Sequence, residues 1–138
     1  MTSGRQTCQR LALVLLLALA ACAPRVQEPG PLAATPVPAS LTDDAFIAAD
    51  GTRLPLRRWL PGHLPPQALV VALHGFNDYS NAFDGIGRFL ADRGIAVFAY
   101  DQRGFGATAQ TGIWPGEQAL ADDARSVVHQ LRQRYPAV

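Results

Sequence analysis

The sequence predicts an α/β fold, and three features carry that prediction. Ala68 to Leu73 and Ile95 to Tyr100 are short runs with no polar face, as strands covered by helices on both sides require. A helical pattern lies between them, so that strand, helix and strand fit in roughly thirty residues as a βαβ unit. Beyond them, Glu117 to Arg134 repeats apolar residues at helical spacing, and a helix with such a stripe must lie on a sheet.

The elements follow in chain order. Met1 to Arg10 carries Arg5 and Arg10 and no acid, and Leu11 to Ala21 follows as eleven uninterrupted apolar residues. That is the form of a secretory signal. A membrane-spanning helix needs about twenty apolar residues, and Pro24 and Arg25 close this run too soon. The run ends Leu19, Ala20, Ala21, Cys22, which resembles a bacterial lipobox, where the Cys is acylated and becomes the first mature residue. The rival reading is ordinary cleavage after Ala23, with Cys22 incidental. Pro24 to Thr42 holds five Pro and one Gly with no apolar period, the composition of an extended spacer. At about 3 Å per residue it reaches roughly 50 Å. The expected organisation is a lipoprotein signal peptide over 1–21, a Pro-rich tether over 22–42 and a folded part over 43–138. The expected location is the bacterial cell envelope, exported and lipid-anchored through Cys22 on the periplasmic side of a membrane.

Ala45 to Ala49 and Thr52 to Leu60 flank Asp50-Gly51, a dipeptide that accepts positive φ, so two antiparallel strands joined by a tight turn are expected. Pro55 has no N–H to give to a ladder, and an interruption or an exposed edge is expected there. Ala68 to Leu73 is expected as a central parallel strand. Ser80 is placed as the cap of a helix whose Phe83, Ile86, Phe89 and Leu90 share one face, ending at Gly94 with Arg93 in its last turn. In the final helix Leu120, Ala124, Val127, Val128 and Leu131 share a face, Asp122, Asp123, Arg132 and Arg134 match the helix dipole, and Pro136 stops it. The strand that should follow is not in the sequence, so the fold is expected to be incomplete.

Composition narrows the function classes. Hydrophobic residues at 49% against 17% charged exclude a disordered chain. All twelve basic residues are Arg, scattered in a chain of net charge +1, and nothing forms a stripe that could track phosphates, so no nucleic-acid partner is expected. Cys8 and Cys22 both lie near the start, so the folded part has no thiol for a disulfide, a zinc site or a nucleophile, and no metal or other cofactor is expected.

His74-Gly75-Phe76-Asn77 begins where the Ala68 strand runs out, and the carboxyl ends of parallel strands are where α/β sheets place ligands. Gly75 lets the backbone turn without a side chain in the way, so the Phe76 amide can point into a crevice as a donor. Taken alone, the pair fits a structural His beside a turn better than a functional one, and only the wider pattern changes that. The next strand leads into Asp101-Gln102-Arg103-Gly104-Phe105-Gly106, and Trp114-Pro115-Gly116 precedes the last helix. Gly104, Gly106 and Ala109 also fit a dinucleotide fingerprint, but Gly112 and Pro115 break the chain before any helix could aim its N-terminus at a pyrophosphate. No dinucleotide is expected.

The His-Gly turn and the Asp-x-Arg-Gly-x-Gly motif at this spacing resemble the α/β-hydrolase superfamily over about Ala45 to Pro136, in particular its monoacylglycerol lipase, lysophospholipase and serine aminopeptidase-like branch. The resemblance implies the N-terminal part of an α/β-hydrolase sheet: an antiparallel hairpin, then parallel strands with crossover helices. It implies that the Phe76 backbone amide is an oxyanion-hole donor, that His74 and Gly75 form its loop, and that Asp101, Arg103, Gly104 and Gly106 are scaffold, with an Asp-Arg pair capping loop amides. Asn77 and Asp78 either cap the following helix or face substrate. The reaction implied is hydrolysis of a carboxylic ester, acylglycerol or lysophospholipid through an acyl-enzyme.

Acyl transfer on this fold needs a Ser in G-x-S-x-G, then an acid and a His. Ser3, Ser40, Ser80 and Ser126 are the only Ser residues, and none has Gly at both second positions; His63 sits in a Pro-rich turn, and His129 on the polar side of the last helix. No triad assembles from this sequence, so the chain alone is expected to be inactive. The resemblance places the nucleophile just beyond the helix ending near Tyr135. A non-catalytic, membrane-anchored module that binds a partner through an exposed sheet edge is the alternative.

Overall fold

The structure, a computed structural model, describes residues 25–138; the expected signal peptide and Cys22 lie outside the described residues. Five strands form one sheet: β1 (Ser40–Leu41), β2 (Ala45–Ile47), β3 (Arg53–Trp59), β4 (Ala68–Ala72) and β5 (Ile95–Tyr100). Their order across the sheet is β1-β2-β3-β5-β4. The first three and β5 pair antiparallel, and β4 runs parallel to β5 with Val70 opposite Val97. A 3₁₀ turn (Ser80–Phe83) leads into α1 (Asp84–Ala91), which links β4 to β5, and α2 (Glu117–Arg134) closes the chain.

The hairpin forms at Asp50-Gly51 as the turn chemistry requires. Gly51 adopts φ 78° and its N–H donates to the Ala48 carbonyl at 2.9 Å, while the Asp50 carboxylate accepts from the Thr52 N–H. Pro55 does not interrupt β3. It stands where β3 changes neighbours, with residues 53–55 facing β2 and 56–59 facing β5, so its missing N–H costs no ladder bond and its carbonyl accepts from Asp101 N–H at 2.8 Å.

The core lies between the sheet and α2. Phe46, Leu54, Leu56, Ala96, Phe98 and Tyr100 point to one face and pack with Val127 and Leu131, all buried. By strand alternation Val97 and Ala99 point to the other face, where α1 crosses β3 and β5. There the fit is close: a Cβ on Gly87 would lie 2.6 Å from Cε3 of Trp59, so only glycine brings the helix so near.

Four expectations are corrected. Ser80 does not cap a helix: it opens the 3₁₀ turn, buried, with its N–H donating to Asp101, and α1 begins only at Asp84 and ends at Ala91, short of Arg93. Ile86 and Phe89 are half exposed rather than packed on the sheet, because Gly87 is the contact residue; the Arg93 guanidinium covers the Phe89 ring at 3.6 Å. Ala68 to Leu73 is not central among the described residues. β4 has β5 as its one neighbour, none of its five residues is fully buried, and a groove of about 410 Å³ runs along it between Leu69 and Val71 on one side and Val128 and Leu131 on the other. The stretch expected to act as a free spacer is docked from Arg25 onward: Leu32 N–H and Val37 N–H donate to the carbonyls of Asp50 and Ala49, and Ser40–Leu41 joins the sheet. Backbone groups that find partners on the hairpin outweigh the Pro-rich composition.

An uncovered apolar edge strand is a template for association. The 138-residue chain is expected to self-associate, and Val70→Lys, which puts a charge on β4, to raise the monomeric fraction in sedimentation velocity. An unchanged distribution would show that association does not run through this edge.

Candidate active site at the carboxyl end of the parallel strands

The His74 turn and the 101–116 loop leave β4 and β5 at the same end of the sheet, because the two strands run parallel. They are tied side by side through His74, which is buried. Gln102 N–H donates to His74 Nε2 at 3.0 Å, and the Gln102 side-chain amide donates to the His74 carbonyl at 2.7 Å. Since Nε2 accepts, the proton sits on Nδ1, which donates to the Gly75 carbonyl at 2.9 Å. The imidazole therefore works as a fixed spacer between the two loops.

Beyond His74 the turn stands open. Asp78 N–H donates to the Gly75 carbonyl at 3.3 Å, while the Phe76 N–H makes no hydrogen bond among the described residues. The left-handed residue of the turn is Asn77, at φ 59°, and not Gly75; a Cβ on Gly75 would meet nothing within 4 Å, so its conformation does not demand glycine. Asp78 accepts from the Tyr79 N–H at 2.8 Å, a local cap. The Phe76 side chain is 75% exposed and lies edge-on to Phe105 at 5.3 Å and tilted to Trp114 at 6.3 Å, with His74 edge-on to Phe105 behind them. The β4 groove and the cleft of about 560 Å³ walled by Pro55, Tyr79, Ser80 and Asp101 both lie off this turn.

Of the Asp-Arg pair expected to cap loop amides, Asp101 does so and Arg103 does not. Asp101, buried, spends both oxygens on loop amides: Oδ1 accepts from Ser80 N–H and Oδ2 from Ala107 N–H, each at 2.9 Å. It thereby fixes the far end of the His74 loop and the start of the 107–113 turns. Gly106, at φ 55°, passes directly against that carboxylate, where any Cβ would run into Oδ2; Gly104 turns at φ 82° two residues earlier.

Arg103 reaches elsewhere. Nε and one terminal nitrogen fork onto Asp123 of α2 at 2.6 and 3.0 Å, and the terminal nitrogens fork onto Asp50 of the hairpin at 2.7 and 2.9 Å, with Thr52 Oγ1 at 2.9 Å. Asp123, expected to match the helix dipole from the first turns of α2, is buried there. Burial opposes the charge on Asp50, but the Arg103 guanidinium and Thr52 outweigh it and hold the carboxyl well below the usual range. Burial pushes Asp123 upward against the pull of Arg103, and it also lifts the hydroxyl of Tyr100, which lies within reach of the Asp123 charge and has no hydrogen-bond partner among the described residues.

A parallel pair joined by a crossover helix, with a His-Gly turn at its carboxyl end and a hairpin beside it, fits an α/β-hydrolase, of which the chain carries a part. Within that class the chain belongs to the serine aminopeptidase, S33 family, whose model matches residues 64–138. It is similar to the uncharacterized protein YfhR of Escherichia coli K12, 33% identical over 104 residues, covering 72% of this chain and 35% of that protein. A putative monoglyceride lipase of Schizosaccharomyces pombe is 43% identical over 47 residues, 34% of this chain and 12% of that one. Among solved structures, the esterase EaEST of Exiguobacterium antarcticum superposes with a TM-score of 0.54 at 25% identity, over 66% of this chain and 32% of the esterase. The chain spans about a third or less of the length of these relatives.

The hydrogen bonds assign the Nδ1–H tautomer to His74. In ¹⁵N-histidine-labelled protein, its Nε2 resonance is expected at the shift of an unprotonated nitrogen, with Gln102→Pro, which removes the donating N–H, moving it; an Nε2–H signal would contradict the assignment. Removing Arg103 as Arg103→Ala leaves two carboxylates uncompensated and is expected to cost about 3–5 kcal/mol in urea unfolding. Asp50 is depressed in the folded state, so its contribution is full above the unfolded value near about 4 and is lost as pH falls further. Asp50→Asn is expected to flatten that acid limb.

Proposed function

We propose that this chain supplies the oxyanion loop of a serine hydrolase acting on carboxylic esters, acylglycerols or lysophospholipids, with Phe76 N–H as one of two donors. The observation that carries the reading is an amide without a hydrogen-bond partner among the described residues, on a turn anchored at both ends: His74 by Gln102 on one side, Ser80 by Asp101 on the other. Open space about Gly75 is where the oxyanion would sit, and a side chain there would fill it. The family membership, the similarity to an esterase and to a putative monoglyceride lipase, and the exposed aromatic rings that could receive an acyl chain all support this substrate class.

In this reaction a serine Oγ attacks the ester carbonyl carbon and gives up its proton to a base. The carbonyl oxygen becomes an oxyanion held by Phe76 N–H and a second amide, and the alcohol leaves with a proton. Water then attacks the acyl-enzyme and releases the carboxylic acid, regenerating the serine. The nucleophile, acid and base are not among the residues of this sequence, since no Ser lies in G-x-S-x-G. The proposal includes a lipid anchor on Cys22 at the cell envelope.

The purified 138-residue chain is expected to remain unlabelled by a fluorophosphonate probe; labelling at a Ser would overturn the assignment of roles. Joined to the nucleophile-bearing remainder of a family member, Phe76→Ala keeps the amide and is expected to retain most esterase activity. Phe76→Pro removes the N–H and is expected to lower kcat on the order of 10²–10³-fold. Equal losses in the two variants would mean that the amide is not the donor.

A further inference from the structure

The stretch from Arg25 to Gly30 takes no part in the proposed chemistry, yet it is firmly held. Val26 forms a parallel bridge with Trp114, and Gln27 N–H donates to the Trp114 carbonyl at 3.0 Å. The Gln27 side chain donates to the carbonyls of Ile113 at 2.8 Å and Gln110 at 3.1 Å. Glu28 N–H donates to the Gln110 side-chain oxygen and the Gln110 side-chain amide donates to the Glu28 carbonyl, each at 3.0 Å, and Gly30 N–H donates to Asp50 at 3.0 Å. The strap therefore ends on the aromatic ledge of the candidate site, since the Trp114 ring is the neighbour of Phe76. Val26, Phe76 and Trp114 are 58%, 75% and 44% exposed.

Chain length then limits how far the site stands from whatever holds the preceding residues. The apolar run Leu11 to Ala21 ends directly before Cys22, and Cys22 is four positions from Val26. Even fully extended, four residues span at most about 14 Å, against the roughly 50 Å of a free lead. A membrane that holds the chain at Cys22 is thus brought to the end of the molecule that carries Phe76, not to a distant face.

We propose that this end rests on a phospholipid bilayer, with Val26, Phe76 and Trp114 in the interface. The inference rests on the lipid-anchor part of the proposed function and does not depend on the acyl-transfer part. Apolar side chains of such a surface bury about 5–10 Å into the boundary between headgroups and acyl chains, and an indole, apolar with one polar N–H, suits that depth. Arg25, exposed beside the patch, adds a cation toward anionic headgroups.

The test uses the full chain, expressed with its own leader in a bacterial host and reconstituted into phosphatidylethanolamine and phosphatidylglycerol vesicles. The difference in fluorescence between this protein and Trp114→Phe isolates Trp114 from Trp59. The expected result is co-sedimentation with vesicles, a blue-shifted Trp114 component, loss of that component on vesicles with brominated acyl chains, and protection from aqueous acrylamide. Gln27→Ala, which loosens the strap, is expected to weaken that quenching without releasing the protein. Co-sedimentation with Trp114 unquenched by brominated lipid would overturn the orientation and leave the anchor standing. A chain that stays in the supernatant would overturn both, without touching the esterase reading, which the Phe76 variants test separately.

Discussion

One guanidinium holds three parts of this molecule in register. Arg103 leaves the carboxyl end of β5 and forks onto Asp50 in the hairpin turn and Asp123 in α2, so loop, hairpin and helix share a single charged centre. Arg suits the task because its planar fork meets two carboxylates with paired bonds at once, which a Lys ammonium does not. An ion triad of this kind adds little net stability over a well-packed apolar substitute, given what it costs to desolvate three charges. Its value is positional, since few other arrangements of these elements would satisfy all three charges.

The remaining polar contacts pass that fixed position along to the candidate site. Asp101 stands two residues before Arg103 and holds the amides of Ser80 and Ala107; Gln102, between them, holds His74. Three consecutive side chains thus point to three different tasks from one short loop, and only Arg103 among them bonds to another charged side chain. The His74 end of the turn is tied by neutral N–H, C=O and imidazole groups. The carboxylates at its other end, Asp78 and Asp101, accept from the amides of Tyr79, Ser80 and Ala107.

Much of the fold was legible in the sequence because it is written in local terms. The turn at Asp50-Gly51, the apolar runs of β4 and β5 and the stripe of α2 each lie within a dozen or so residues, and their existence follows from periodicity and turn chemistry. The position of the His-Gly turn at the end of a parallel strand was legible for the same reason. The partners of Arg103 were not, since Asp50 is 53 residues away and Asp123 is 20, and nothing local announces a pair at such separation. One sign was available for Asp123. It precedes Val127 and Leu131 at four-residue steps, which places a carboxylate inside the buried stripe rather than on the polar face. A charge there requires a buried partner, which the sequence does not name and which the structure shows to be Arg103.

The Pro-rich lead shows the opposite failure, where composition was followed and hydrogen bonds decided. Five Pro in nineteen residues disfavour helix and strand interiors, but they leave the intervening N–H and C=O groups free to bond elsewhere. Gln27 makes one such bond through its backbone N–H and two more through its side-chain amide, and none of them needs regular secondary structure. Composition of this kind predicts the absence of a repeating ladder; it does not predict the absence of a fixed path. A segment can be irregular and still be held in one place, and here that place is beside the ring of Trp114, which makes the lead part of the site's surroundings.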